Sequence, residues 1–224
     1  MSIRPAVIAF DVVETLFALD ALERRFEKIG LKADALPVFF ARMLRDAFAL
    51  EASGRYVPFR EVAQATLKVT ISSYGEQATD DKVETVLQGF AELAPHPDVK
   101  EAIDRIHLAQ VRVIALSNGS ADATKTLIEK AGLIDFFEKV LSIDDVRHWK
   151  PHREVYEYAV REAGVEASRM ALIAAHSWDT HGAKQVGLKT GWVRRREKEY
   201  SSVMATPDVQ GATLVEVVDQ LLAG

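Results

Sequence analysis

From Leu19 to Leu93 the apolar positions recur three and four apart, as in Leu36-Phe39-Phe40-Met43-Leu44-Ala47-Phe48 and Val83-Val86-Leu87-Phe90. That spacing puts them on one face of a helix of 3.6 residues per turn, and no strand-like alternation interrupts it. Ahead of the block stands the short continuous run Ala6-Val7-Ile8-Ala9-Phe10, the pattern of a strand buried on both faces. After Pro95 the texture changes to strand, turn and helix. The strands are Val111–Leu116, Lys139–Ser142, Met170–Ala174 and Thr190–Val193, with helical segments near 98–108, 121–131, 151–163 and 179–186. Gly132, Gly164 and Gly187 stand where helix C-terminal caps are expected.

Alternating strands and helices predict an α/β fold with a doubly wound, mostly parallel sheet whose first strand comes from the N-terminus. The all-helical block then reads as an insertion after that strand. Residues 1–17 and 94–224 form the predicted core domain, and 18–93 a helical cap over the strand ends.

With 224 residues, 48% of them hydrophobic, the chain can bury one full core and a sizeable insertion. A net charge of −5 argues against a nucleic-acid partner. The longest run of like charge, Arg194-Arg195-Arg196, is followed by Glu197 and Glu199 and predicts a solvated face. Having no cysteine, the chain has no disulfide, thiolate nucleophile or cysteine metal site. No cationic segment precedes an apolar leader, and no apolar run reaches the length of a membrane span. Those features predict a soluble, cytoplasmic protein without a membrane partner.

Ligands of an open α/β sheet bind beyond the carboxyl ends of its strands, so the residues at those ends are the candidate chemistry. The first strand delivers Asp11, a candidate nucleophile. The second delivers Ser117-Asn118-Gly119-Ser120, with Ser120 as a helix N-cap and free backbone N–H groups suited to an anion. The third is followed by Lys150-Pro151, with Pro151 at the first position of a helix. The fourth delivers Ala175-His176-Ser177-Trp178-Asp179. Each has an ordinary explanation as a turn, a cap or a solvated charge. Together they bring a carboxylate, a hydroxyl and amide, a cation and a second carboxylate to one edge.

On these residues the chain resembles the haloacid dehalogenase superfamily, and within it the type II (S)-2-haloacid dehalogenases. Asp11-Val12-Val13-Glu14-Thr15-Leu16 is similar to the first motif, Leu116-Ser117-Asn118-Gly119-Ser120 to the second, Lys150-Pro151 with Tyr156 to the third, and Ser177-Trp178-Asp179 with Gly182-Ala183 to the fourth. The resemblance implies a Rossmann-like core with a cap inserted after strand 1, and hydrolysis of a small 2-halocarboxylate through an aspartyl ester on Asp11. By it, Thr15 and Lys150 would hold the Asp11 carboxylate and Asp179 would position the hydrolytic water. Ser117 would bind the substrate acid, Asn118 would face the departing halide, and Val12, Tyr156 and His176 would contribute to the substrate pocket. It further implies a homodimer that needs no metal or other cofactor.

The resemblance is incomplete in ways that bear on chemistry. The superfamily's phosphatases carry a second Asp two residues after the nucleophile as acid for the leaving alcohol. Here that position is Val13, which donates no proton, and a departing halide needs none. Glu14 replaces a Gly, while Ala174 and His176 replace Ser and Asn. Glu14 needs solvent, Lys150 or an Arg as partner, and His176 either joins the water-holding network or stands behind the site as an ordinary hydrogen-bonded histidine. In the cap, Phe40 falls where the dehalogenases carry an arginine that grips carboxylate and halide, with Arg42 and Arg45 on other faces of the same predicted helix. Phe40 thus lines either the cap core or the substrate pocket. A superfamily phosphatase, another small-molecule hydrolase and a catalytically weak relative remain the alternatives.

Overall fold

The computed structural model describes residues 4–32 and 34–224. In chain order the elements are β1 (Val7–Phe10), β2 (Phe17–Ala18), α1 (Asp20–Lys28), α2 (Ala35–Ala52), α3 (Phe59–Ser73), α4 (Asp80–Leu87), β3 (Ala94–Pro95), α5 (Val99–Leu108), β4 (Arg112–Ser117) and α6 (Ala121–Lys130). They continue with β5 (Lys139–Ser142), α7 (Arg153–Ala163), β6 (Met170–Ala174), α8 (Ser177–Gln185), β7 (Lys189–Val193), β8 (Val209–Gly211) and α9 (Leu214–Ala223). The chain folds as two compact units, Met1–Phe17 with Pro95–Gly224, and Ala18–Ala94.

The first unit is built on a six-stranded sheet in the order β5-β4-β1-β6-β7-β8, with parallel pairing throughout. Val7 through Phe10 are wholly buried, as a strand flanked on both edges and covered on both faces requires. The chain adds β4 and β5 on one side of β1, then crosses to add β6, β7 and β8 on the other. The strand order therefore reverses between β1 and β6. At such a switch point the connections leave in opposite directions and open a crevice beyond the strand ends. Asp11 follows β1 there, and the segment 175–179 follows β6.

Local chemistry sets the ends of the helices. Ser120 caps α6 by accepting from the Ala123 N–H, and Gly164 closes α7 at φ 64°, a left-handed conformation that suits glycine. Helix α7 begins two residues later than the sequence predicts. His152 is its N-cap, accepting on Nδ1 from the Glu154 N–H, so Pro151 lies ahead of the cap rather than at the first helical position. Both β8 and α9 lie beyond the predicted elements. Helix α9 packs tightly on the sheet: a Cβ at Gly191 of β7 would stand 2.6 Å from the Val217 side chain.

The predicted solvated face at Arg194-Arg195-Arg196 is corrected at Arg195, which is largely buried. Arg195 forms a two-pronged pair with Asp98, at 2.9 and 2.8 Å, and its guanidinium also reaches the Thr15 carbonyl. Arg196 reaches Glu14. Arg194 and Arg196 remain exposed, so the expectation fails at Arg195, whose guanidinium is turned onto the β1 loop.

The second unit is helical. Helix α2 buries Leu36, Phe39, Met43 and Ala47 of the stripe that its sequence periodicity predicts, while Phe40, Leu44 and Phe48 are half-buried. The Phe39 ring meets that of Phe26 on α1 at 5.6 Å.

Candidate active site

Strand β1 ends at Phe10, and the Asp11 N–H donates to the Ile173 carbonyl of β6, which carries the sheet's hydrogen bonding one residue into the loop. Both oxygens of the buried Asp11 carboxylate then find donors. Thr15 donates its hydroxyl to Oδ2 at 2.6 Å, and Lys150 donates its ammonium to Oδ1 at 3.0 Å. Thr15 Oγ1 in turn accepts from the Ala175 N–H at 2.8 Å, which ties the loop after β1 to the loop after β6.

Lys150 has no solvent exposure and makes a second ion pair, 3.0 Å from Oδ2 of the equally buried Asp179. Burial opposes the charge on Lys150, but Asp11 and Asp179 outweigh it and hold the amine above its ordinary range. Asp179 is raised as well. Burial raises its carboxyl and the neighbouring Asp11 charge adds to that, against the pull of Lys150. The other Asp179 oxygen accepts from the Tyr156 hydroxyl at 2.6 Å. Burial and the Asp179 charge push that phenol well above its ordinary value, so it stays a donor. One ammonium thus joins two carboxylates, each holding a hydroxyl as well. A buried charge keeps its ionised form only with such compensation.

On the β4 side, Asn118 Oδ1 accepts from the Lys150 backbone N–H at 3.2 Å, fixing the loop that carries the ammonium. Buried Ser117 accepts on Oγ from the Gly119 N–H, and Ser142 donates to the Gly119 carbonyl. The Ser-Asn-Gly turn is therefore braced from β5.

Asp11, Thr15, Lys150, Asp179, Tyr156, Ser117 and Asn118 come together at the strand ends. Val12 is adjacent, but its side chain is buried and its carbonyl accepts from the Leu16 and Phe17 N–H groups. Tyr156 is fully buried and spends its hydroxyl on Asp179. Phe40 lies half-buried on α2 of the helical unit.

His176 is committed elsewhere. Its Nε2 lies 3.0 Å from Glu14 Oε2 and its Nδ1 3.5 Å from Glu197 Oε1. Burial works against its charge, yet the two carboxylates raise it to about 10. Glu197 moves in the opposite sense. Burial alone would raise it, and the His176 and Ser177 hydrogen bonds lower it. Sequence reasoning missed Glu197, Arg195, Arg196 and the Ala175 N–H. The available signal was Glu14 itself, an acidic residue in a turn where the motif has glycine.

Several known proteins share this arrangement of elements. The family model for haloacid dehalogenase-like hydrolases matches residues 5–187. An (S)-2-haloacid dehalogenase of Pseudomonas sp. (strain YL) is 27% identical over 214 residues, covering 95% of this chain and 92% of its own. The L-2-haloacid dehalogenase structure from Xanthobacter autotrophicus superposes with a TM-score of 0.90 at 23% identity, covering 98% of this chain and 99% of that one. The same enzyme with chloropropionic acid covalently bound superposes with a TM-score of 0.90 at 22% identity and the same coverage.

Proposed function

The chain belongs to the haloacid dehalogenase-like hydrolases, and from that membership we propose that it is a hydrolytic dehalogenase of small (S)-2-haloacids. The observation that carries the reading is the Asp11 carboxylate, paired with the Lys150 ammonium at 3.0 Å and oriented by Thr15 at 2.6 Å. A carboxylate held so is a nucleophile. One Asp11 oxygen bonds to C2 of the acid as the carbon–halogen bond breaks, and the halide leaves with the bonding pair. Water then adds to the Asp11 carbonyl carbon and the ester C–O bond breaks. Asp11 is restored, and the 2-hydroxy acid and one proton are released.

Asp179 serves the second step in this reading. It shares Lys150 with Asp11, so its near oxygen lies no more than two hydrogen-bond lengths from the ester, and its raised carboxyl makes it a competent proton acceptor. Ser117 and the amide of Asn118 are the acid- and halide-facing groups of this reading. Their loop is held by Gly119 and Lys150 backbone contacts rather than left to move.

The reaction needs no metal in this reading. The ammonium of Lys150 supplies positive charge to both carboxylates, and Val13 and Ala175 add no oxygen side chain that Mg²⁺ would favour. The partner is the 2-halocarboxylate alone, and we place the protein in the cytoplasm as a homodimer. Among the described residues no helix is long and apolar enough to cross a membrane.

A single turnover in oxygen-18 water tests the proposal. The first 2-hydroxy acid released should carry no label and Asp11 should gain it. Label in that first product overturns the ester. Halide release that survives dialysis against a chelator supports the metal-free reading, whereas Mg²⁺-dependent turnover of a phosphate ester assigns the phosphatase alternative.

A further inference from the structure

Two buried charges beside the reacting carboxylate have no part in the steps above, Glu14 and His176. Glu14 stands in the turn after the nucleophile at φ 67°, a left-handed conformation costly to a residue with a side chain. Such a residue persists where its surroundings fix it. Its two oxygens are held by His176 Nε2 at 3.0 Å and by Arg196 Nε at 3.3 Å. The His176 ring lies against Trp178, 5.2 Å between centroids and nearly parallel. Glu197, on the other ring nitrogen, also accepts from the N–H of Ser177, the first residue of α8.

The neighbours of these two residues matter as much. Thr15, next to Glu14, receives the N–H of Ala175, next to His176. The loops after β1 and β6 are therefore laced by two successive contacts. The first holds the hydroxyl that orients Asp11, and the second lies at the root of the helix that carries Asp179.

We propose that Glu14 and His176 act as one positioning unit for the reaction at Asp11. Their contact fixes the turn after the nucleophile against the start of α8, and so sets how Thr15 and Asp179 meet the reacting group. His176 is then not a substrate ligand, since both its ring nitrogens face carboxylates. The groups facing its charge are Glu14 and Glu197 directly and Asp11 through space, with Arg196 on the far oxygen of Glu14. The inference rests on the role proposed for Asp11.

A double-mutant cycle over Glu14→Gln and His176→Asn tests it, read by halide release from 2-chloropropionate. Each single change should lower kcat about tenfold with KM within about twofold, and the double variant should be no worse than the poorer single one. Multiplying losses, or a raised KM at unchanged kcat for His176→Asn, would overturn the unit. Should the wild-type protein release no halide, the dehalogenase reading fails, and the unit is decided by the carbon-13 resonance of the Asp11 carboxyl. That resonance must shift in Glu14→Gln and in His176→Asn alike, and an unmoved resonance rejects the proposal. If the single variants do not fold, Glu14→Gly with His176→Asn, which removes both charges and the strained residue, must fold. Its failure counts against the unit.

Discussion

The Lys150 ammonium and the Asp179 carboxylate lie 3.0 Å apart, and neither side chain reaches solvent. Removing the cation leaves the Asp11 and Asp179 carboxylates in a buried site without the charge that compensates them both. Lys150→Met should therefore abolish turnover and cost about 3–5 kcal/mol near neutral pH. A proton can stand in for the missing cation. The variant should recover part of the lost stability as the pH falls toward 5, and thermal unfolding over pH 5–8 measures it.

Asp11→Asn tests the nucleophile against the fold. The amide keeps the shape and can still meet Thr15 and Lys150, but it does not displace halide. Halide release should fall by several orders of magnitude while the far-ultraviolet circular dichroism is unchanged. Because the change leaves Asp179 as the only carboxylate on Lys150, the charge balance of the triad remains satisfied and the thermal midpoint should move little.

The architecture was legible because the first strand is a pure apolar run and the later strands keep their turn residues. Asp11, Lys150 and Asp179 were legible because each lies in the segment that follows a strand of the sheet, where sheet topology directs chemistry. The network around Glu14 was not. Periodicity and spacing report which face a residue takes, not which distant charge it meets, and Glu14 meets residues 176 and 196 only through the fold. The burial of Arg195 was not legible for the same reason, since its partners Asp98 and Thr15 lie about 100 or more residues away. Strand β8 is three residues long, too short to leave a pattern.

Stability should depend on pH through His176. Its folded value is raised from 6.5 to about 10, so the imidazolium is favoured by the folded state. The contribution is complete below the unfolded value, shrinks above it and is gone once the pH passes the folded value. A shift of this size is worth on the order of a few kcal/mol. The thermal midpoint should therefore fall between pH 7 and pH 10 in the wild-type protein and fall less in His176→Asn. Parallel curves for the two proteins would show that the charge on His176 contributes nothing.

Arg195 supports the loop of the nucleophile from behind, through Thr15 on one side and Asp98 on the other. Asp98 is half-buried and also accepts from the N–H of Leu214 at the start of α9. Asp98→Ala leaves a largely buried guanidinium without its carboxylate and should cost about 1–3 kcal/mol. The Asp98 carboxyl is lowered; burial opposes this and the bonds from Arg195 and Leu214 prevail. Its contribution is therefore present above the usual carboxylate range and lost as the pH falls below it. The gap in thermal midpoint between wild type and Asp98→Ala should close toward pH 3.

The last test concerns the helical unit. The resemblance predicts that Phe40 takes the position of a carboxylate-gripping arginine. The two arginines that follow on α2 are engaged within their own unit, Arg42 with the Ser73 hydroxyl at 2.7 Å and Arg45 with Asp46 at 2.8 Å. They also stand about 200° and 140° around the helix from position 40, at roughly 100° per residue. On that alignment the chain lacks the two-pronged clamp and its charge-assisted hydrogen bonds, which are about twice as strong as neutral ones. Chloroacetate and 2-chloropropionate should therefore bind weakly, with high KM. Phe40→Arg should raise kcat/KM for both acids by about tenfold, mainly through KM, while Arg42→Ala and Arg45→Ala change it less than twofold. Steady-state halide release from the three variants decides it. If Arg42→Ala silences the enzyme instead, the clamp is present at position 42 and the register assigned to this helix is wrong.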